Sequence, residues 1–243
     1  MKTGHIALSS IDEARFGIRV ARVHELMPES LDETVQFCRD HAVQMLIARV
    51  PSQAIRFVQQ LEDIGFRLMD TLIYYRRDLM SAAAEPRNVG LVRPVRKGEE
   101  ESVRQIAAQA FQGYFGHYHA DPRLDPAACD AVYISWAERS CLDRSVADEV
   151  LVAEQEGQLV GFLTLRRNAP EQVEIVLNGV LPAAQGRGVY RELVVQAIEQ
   201  SRAWHAQEVL VSTQVTNLAV QKVWVRLGFE PSGFYYTFHK WFE

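Results

Sequence analysis

The chain has 243 residues, 48% of them hydrophobic and 23% charged, a size and composition that suit one large globular domain or two small ones with a real core. A formal net charge of −5 argues against a general nucleic-acid binder, which needs clustered Lys and Arg to neutralise phosphates. The opening MKTGHIALSSIDEARFG lacks the apolar run of a signal peptide and no stretch approaches a membrane span, so a cytoplasmic protein without membrane insertion is expected.

VQMLIARV (43–50) is apolar and rich in β-branched residues and predicts a buried strand. Pro51-Ser52 opens a helix, QAIRFVQQLEDIG (53–65), with apolar residues at helical spacing and a terminal glycine. LMDTLIYYRRDL (68–79) predicts a second strand, and SAAAEPRNVG (81–90) has the composition of a linker. GEEESVRQIAAQAFQ (98–112) follows as a helix, GYFGHYHADPRLDP (113–126) as an aromatic, proline-broken loop, and AACDAVYISWAERSC (127–141) as another helix. EVLVAEQEGQLVGFLTLRR (149–167) predicts a hairpin turning at Glu156-Gly157. QVEIVLNGVL (172–181) is a strand that runs into AQGRG, where the helix 189–204 begins. A strand at 208–215, a helix at 217–228 and a strand at 234–242 complete the chain. The last block repeats the plan of the first: a helix ending in Gly-Phe (Gly65-Phe66, Gly228-Phe229), then an aromatic strand (IYY, FYY). Two related half-domains or chance likeness of strand–helix–strand units both account for it. Cys38, Cys129 and Cys141 have no metal-ligand spacing and read as reduced thiols.

The chemistry concentrates at residues 184–191, AQGRGVYR. A strand, a glycine-rich turn and a helix start gather free backbone N–H groups at the positive end of a helix dipole, which suits a phosphate or pyrophosphate. The dinucleotide fingerprint G-x-G-x-x-G is absent, and no Gly-Lys-Ser/Thr follows to make a P-loop.

VLPAAQGRGVYRELV (180–194) resembles the acyl-CoA-binding motif of the GNAT N-acetyltransferase superfamily, Q/R-x-x-G-x-G/A after a strand. NLAVQKVWVRLGFEP (217–231) is similar to that superfamily's N-x-x-A-x-x-x-Y-x-x-x-G-F signature. The resemblance implies an α/β fold with a mixed sheet split around the CoA pantetheine. It implies tandem GNAT-like halves: a degenerate domain at 1–80, a linker at 81–90 and a complete acyl-CoA-binding domain at 91–243. Phe16-Gly17 and the string from Phe111 to Trp136 look more narrowly like the acetyltransferases of nucleotide-linked 4-amino-4,6-dideoxy sugars, such as dTDP-fucosamine. Acetyl-CoA as co-substrate, no metal, a nucleotide-linked amino sugar as the small-molecule partner and no nucleic acid are the corresponding expectations; a homodimer is left open.

On that resemblance the cofactor contacts fall on Val180, Gln185, Gly186, Arg187, Gly188, Val189, Tyr190, Asn217 and Trp224. Arg187 and Arg191, one helical turn apart, meet CoA phosphates or are solvated. Asn178-Gly179-Val180 marks the family's β-bulge, whose amide holds the thioester carbonyl. Asn217 is equally an N-cap.

Acyl transfer from a thioester to an amine needs a proton acceptor, oxyanion stabilisation and a departing thiolate. Glu174, eleven residues before Gln185, is the candidate base or water-orienting group, and a solvated strand-face glutamate is the alternative. Tyr190 stands where the family has Gly or Ala, and Trp224 where it has the tyrosine that protonates the leaving sulfur; indole is only a donor. Tyr235, Tyr236 or a water then supplies that proton, unless the two tyrosines simply pack in the strand. In the central loop Tyr114, Phe115 and Tyr118 are candidates to stack on a base or sugar, Arg123 to hold a diphosphate, and His117 and His119 to hydrogen-bond the sugar. His117, His119 and Asp121 form an H-x-H-x-D string that lacks the further partner a metal site needs.

Overall fold

The structure, a computed structural model, describes residues 6–80 and 91–242. The expected linker at 81–90 and the first residues of the expected 1–80 domain lie outside them. In chain order the elements are β1 (Ile6–Leu8), α1 (Ser10–Phe16), β2 (Val20–Val23), α2 (Leu31–Asp40), β3 (Met45–Pro51), α3 (Ile55–Asp63), β4 (Arg67–Asp78), β5 (Val92–Pro94), α4 (Glu100–Ala110), α5 (Pro126–Leu142), β6 (Glu149–Gln155), β7 (Gln158–Ala169), β8 (Gln172–Val180), α6 (Val189–Ala203), β9 (Glu208–Gln214), α7 (Leu218–Arg226) and β10 (Glu230–Trp241). The described residues divide into two compact units, and neither is a continuous run of chain: one takes residues 6–73, 115–129 and 233–242, the other 74–80, 91–114 and 130–232.

In the first unit the strand order is β1-β2-β3-β10. β2 and β3 are parallel, with Val20 opposite Met45, while β1 on β2 and β10 on β3 are antiparallel. β10 runs from Tyr235 opposite Pro51 to Trp241 opposite Met45, so the end of the chain pairs with the strand that the sequence places in the first block. The core forms where β2 and β3 meet α2 and α3: Leu46, Ala48 and Val50 pack with Cys38, Phe57, Leu61, Phe66 and Phe238. Each fully buried large apolar side chain there stabilises the fold by about 1.5–3 kcal/mol. α1 is capped by Ser9, whose hydroxyl accepts from the Asp12 amide and donates to the Asp12 carboxylate at 2.6 Å.

In the second unit the order is β9-β8-β7-β6-β5, with β8 and β9 parallel and the other pairs antiparallel. β6 and β7 form the expected hairpin; Glu156 (φ 52°) and Gly157 (φ 78°) both adopt the left-handed conformation that a two-residue turn matching the strand twist requires. β8 alternates buried and half-buried residues. α4 and α6 pack on β7 and β8, and α6 buries Val189, Leu193, Val194, Val195, Ala197 and Ile198. The architecture is mixed α/β, as expected. None of the described helices is long and apolar enough to cross a membrane. Burial pushes the thiols of Cys38 and Cys141 up to about 12, so both stay un-ionised at neutral pH.

Candidate active site

The parallel ladder of β8 and β9 runs from Gln172 opposite Glu208 to Ile175 opposite Val211. Beyond that point β8 continues to Val180 and β9 to Gln214, and among the described residues no ladder pair joins them. The strands therefore part toward their C-terminal ends. β8 helps to set this divergence. Its register on β7 slips by one residue, because Leu163 faces Asn178 while Leu165 faces Ile175. The extra residue lies at Val176–Leu177, two positions earlier than the expected bulge at Asn178-Gly179-Val180, and the Leu177 amide is satisfied by the Thr164 hydroxyl at 3.0 Å.

At the end of β8 the chain turns through Pro182–Ala184 into Gln185, whose side-chain Nε2 reaches back to donate to the Val180 carbonyl at 3.1 Å. Gly186 (φ 72°) and Gly188 (φ 83°) are both left-handed, and Gly188 is the N-cap of α6. A Cβ built on either glycine meets no atom within 4 Å, so backbone conformation, not crowding by the protein, selects glycine here. The first-turn amides of α6 have no carbonyl to meet within the helix. Together these features leave donor-lined open space at a positive helix end. Val189 is buried beneath the turn, whereas Arg187 is exposed. Arg191 pairs with Glu192 at 2.7 Å.

Tyr190 turns toward α7. Its hydroxyl accepts from the indole Nε1 of Trp224 at 2.9 Å. Trp224 is 1% exposed and lies edge-on to Tyr75, with ring centroids 5.4 Å apart. Burial raises the Tyr190 phenol above its ordinary range, and the indole bond opposes this, so the group is a neutral phenol at physiological pH. Asn217 occupies the N-cap position of α7 but makes no cap bond; its Nδ2 donates to the Thr213 hydroxyl at 3.2 Å.

Glu174 lies on the paired part of β8, opposite Arg166 on β7 and Leu210 on β9. It is half-buried, and its carboxylate accepts from Asn168 at 2.8 Å. Tyr235 and Tyr236 stand in the first unit, opposite Pro51 and Val50; Tyr236 packs against that unit's core.

The central-loop residues separate. Tyr114 packs with Phe111 and Tyr133 in the second unit. In the first unit Phe115 is 64% exposed, and His119 accepts from the Gly116 amide at 3.3 Å. Tyr118 is only 2% exposed, so it is no stacking platform: its ring lies between Phe16 and His117 and its hydroxyl binds Asp12 and Arg22. Asp12 is fully buried; burial raises its pKa, but the bonds from Arg22, Ser9 and Tyr118 outweigh this and hold it below the usual carboxylate value. Arg123 is exposed, and its guanidinium lies 5.2 Å from the Trp241 ring centroid. Both line a cavity of about 230 Å³ with Arg15, Phe16 and Ile18. His239 and Trp241, which reach Asp121 from β10, carried no local signal in the sequence because they lie some 120 residues away.

The family model "Acetyltransferase (GNAT) family" matches residues 101–229. The spore coat polysaccharide biosynthesis protein SpsD of Bacillus subtilis (strain 168) is 26% identical over 149 residues, which are 61% of this chain and 50% of that protein, so the match spans only half of the relative's length. Among solved structures, a GCN5-related N-acetyltransferase from Sphaerobacter thermophilus is similar with a TM-score of 0.63 at 16% identity, over 97% of this chain and 76% of that one. A tandem GNAT protein from the clavulanic acid biosynthesis pathway has the same TM-score at 17% identity, over 93% and 76% of the two chains. The whole-chain likeness to a tandem protein agrees with the expected tandem GNAT-like fold. With more than half of its length matched by the family model, and with strands that part beside a glycine turn, the chain belongs to the GNAT family of acetyltransferases.

Proposed function

We propose that this chain transfers the acetyl group of acetyl-CoA to the amine of a nucleotide-linked 4-amino-4,6-dideoxy sugar, by direct attack in a ternary complex. The observation that carries the reading is the parting of β8 from β9 beside a turn whose two left-handed glycines face open space. Amides of residues 186–190 receive the pyrophosphate, aided by the helix dipole. Gln185 holds the turn against Val180, Arg187 meets a CoA phosphate, and Asn217 and Trp224 border the pantetheine arm. Acetyl-CoA supplies the activated thioester; the chain positions it, excludes water and manages protons. The polysaccharide-biosynthesis relative supports a sugar acceptor.

A second reading, a non-catalytic acyl-CoA-binding module, is favoured by one observation: Trp224 has no ionisable proton at the position expected to serve the leaving sulfur. Release of free CoA thiol from acetyl-CoA separates the two. The enzyme reading expects thiol release that depends on dTDP-4-amino-4,6-dideoxygalactose and is weak with free lysine. Acceptor-independent background alone supports the module. Equal turnover of both amines contradicts the sugar acceptor while sparing acetyl transfer.

A further inference from the structure

We propose that His117 and His239 form an acid-sensitive latch that fastens the segment around His117 to β10 inside the first unit, and that the latch opens when both rings carry a positive charge. The latch goes beyond the acetyl-transfer reading and does not depend on it. Asp121 Oδ2 meets His239 Nδ1 at 2.7 Å, and His239 Nε2 meets His117 Nδ1 at 2.9 Å, so the three side chains form a linear hydrogen-bonded chain. Asp121 and His239 are 3% and 1% exposed, and His117 is half-buried. The Tyr118 ring lies against His117, with centroids 3.9 Å apart.

The number of protons on the pair sets its behaviour. Asp121 also accepts from the Trp241 indole at 2.8 Å and from the Arg123 amide at 3.0 Å. An ionised carboxylate only accepts, so His239 carries a proton on Nδ1. In the neutral chain His239 Nε2 is then an acceptor, and His117 donates to it from Nδ1. One added proton leaves the chain closed. His117 takes it on Nε2 and passes its Nδ1 proton to His239 Nε2, so the charge rests on the ring beside Asp121. A second added proton has no such place. It must go to His117 Nδ1, the atom that now accepts from His239, and two N–H groups on two positive rings would face each other across 2.9 Å.

The surroundings add to the repulsion. Arg22 on β2, Arg49 on β3, His239 on β10 and His119 in the same segment all act on His117. The nearby acids are already engaged: Asp121 by His239 and Trp241, and Asp12 on α1 by Arg22 at 2.6 Å, by Ser9 and by the Tyr118 hydroxyl. Arg15 on α1 acts on the Tyr118 phenol. Burial first, and then the charges of His239, Arg22, Arg49 and His119, hold His117 well below the usual histidine range. The open segment therefore binds a proton that the closed one refuses. Closure is fully favoured above about 6.5, the ordinary histidine value, and is lost as pH falls below it. With one proton taken up on opening, the closed-to-open ratio falls about tenfold per pH unit. Asp121 keeps its partners when His239 is charged, so the stretch after it stays in place.

Residue-resolved amide hydrogen exchange in the whole protein tests the latch, with rates corrected for the intrinsic effect of pH. The Ala120 and Asp121 amides donate to the Gly116 and Tyr118 carbonyls at 3.1 and 3.2 Å. Their protection is expected to fall about 30-fold between pH 6.5 and 5. The Leu124 amide, bonded to the Asp121 carbonyl at 3.2 Å, is expected to keep its protection. Constant protection at Ala120 and Asp121 overturns the proposal. His117→Asn retains an amide donor toward His239 and takes no proton, so it is expected to abolish the fall, whereas His119→Asn is expected to leave it. A fall that persists in His117→Asn, or that disappears in His119→Asn, overturns the proposal as well. Nitrogen-15 NMR of the histidine rings needs no variant. Both rings are expected to be charged together only at a pH where Ala120 exchanges freely; a doubly charged pair beside a protected Ala120 amide contradicts the latch.

Discussion

The indole N–H of Trp224 on α7 donates to the hydroxyl of Tyr190 on the first turn of α6, at 2.9 Å. The pair explains two departures from the family motifs at once. The Tyr190 ring, which follows the glycine turn, lies toward α7, where its hydroxyl meets Trp224. A tryptophan stands at 224 because a donor is needed there for the phenol oxygen.

Because the two side chains satisfy each other, they are expected to couple. Tyr190→Phe or Trp224→Phe leaves one polar group without its partner and costs about 1–3 kcal/mol, while the double variant costs less than the sum. Urea unfolding of the four proteins measures the coupling; strict additivity contradicts it. Trp224→Phe is expected to keep most activity. Trp224→Ala is expected to lose about 3–5 kcal/mol of stability through the void it opens.

Gly188→Val places a branched side chain in left-handed backbone, at about 1–3 kcal/mol of strain, and fills the open space in front of the turn. The expected result is a folded protein without measurable acetyl-CoA affinity by calorimetry. Unchanged affinity removes the turn from the binding site.

Gly179 makes a different demand. A Cβ there falls 2.9 Å from the Ala110 Cβ and 3.0 Å from the Phe162 ring, so the close approach of α4 to β8 excludes any side chain. Gly179→Ala is expected to destabilise by about 1–3 kcal/mol in denaturant unfolding; a neutral result contradicts this packing.

Most elements from Val43 onward were legible in the sequence, because apolar periodicity and glycine stops are local; the three-residue β5 was not. β3, α3, the β6–β7 hairpin and α6 appear within a few residues of their expected bounds. The glycine turn was legible for the same reason. The pairing of β10 with β3, the parting of β8 from β9 and the His117–His239–Asp121 chain depend on residues far apart in sequence, so no local pattern encodes them. Tyr118 is an example: a loop tyrosine carries no local sign that Asp12 and Arg22, about a hundred residues away, hold its hydroxyl.

Acid stability offers another check. Burial raises the Asp121 pKa, but the bonds from His239, Trp241 and the Arg123 amide outweigh it and hold the group at about 2. A carboxylate depressed in the fold relative to about 3.9 unfolded stabilises above that value, and this contribution fades as pH falls from about 4 toward 2. His117, held below its usual range, adds a loss of stability that begins as pH falls below about 6.5, where the unfolded chain binds the extra proton. Asp121→Asn is expected to flatten the acid limb of Tm between pH about 4 and 2; an unaltered limb contradicts the assignment.

Glu174 on β8 is the carboxylate that the sequence offers as base. Its carboxylate is held by Asn168 where β8 and β9 are still paired. If the group takes or relays the amine proton, Glu174→Gln is expected to lower kcat by about 100-fold or more with a smaller effect on acetyl-CoA affinity, and a drop below about threefold leaves Glu174 a strand-face carboxylate.

The most direct test of acetyl transfer to a nucleotide-linked amino sugar is mass spectrometry of the sugar nucleotide after incubation with carbon-13-labelled acetyl-CoA and the wild-type chain. The account predicts one labelled acetyl group on the 4-amine of dTDP-4-amino-4,6-dideoxygalactose, formed in step with free CoA and absent with Gly188→Val. An unlabelled sugar nucleotide in the presence of a chain that binds acetyl-CoA would contradict it.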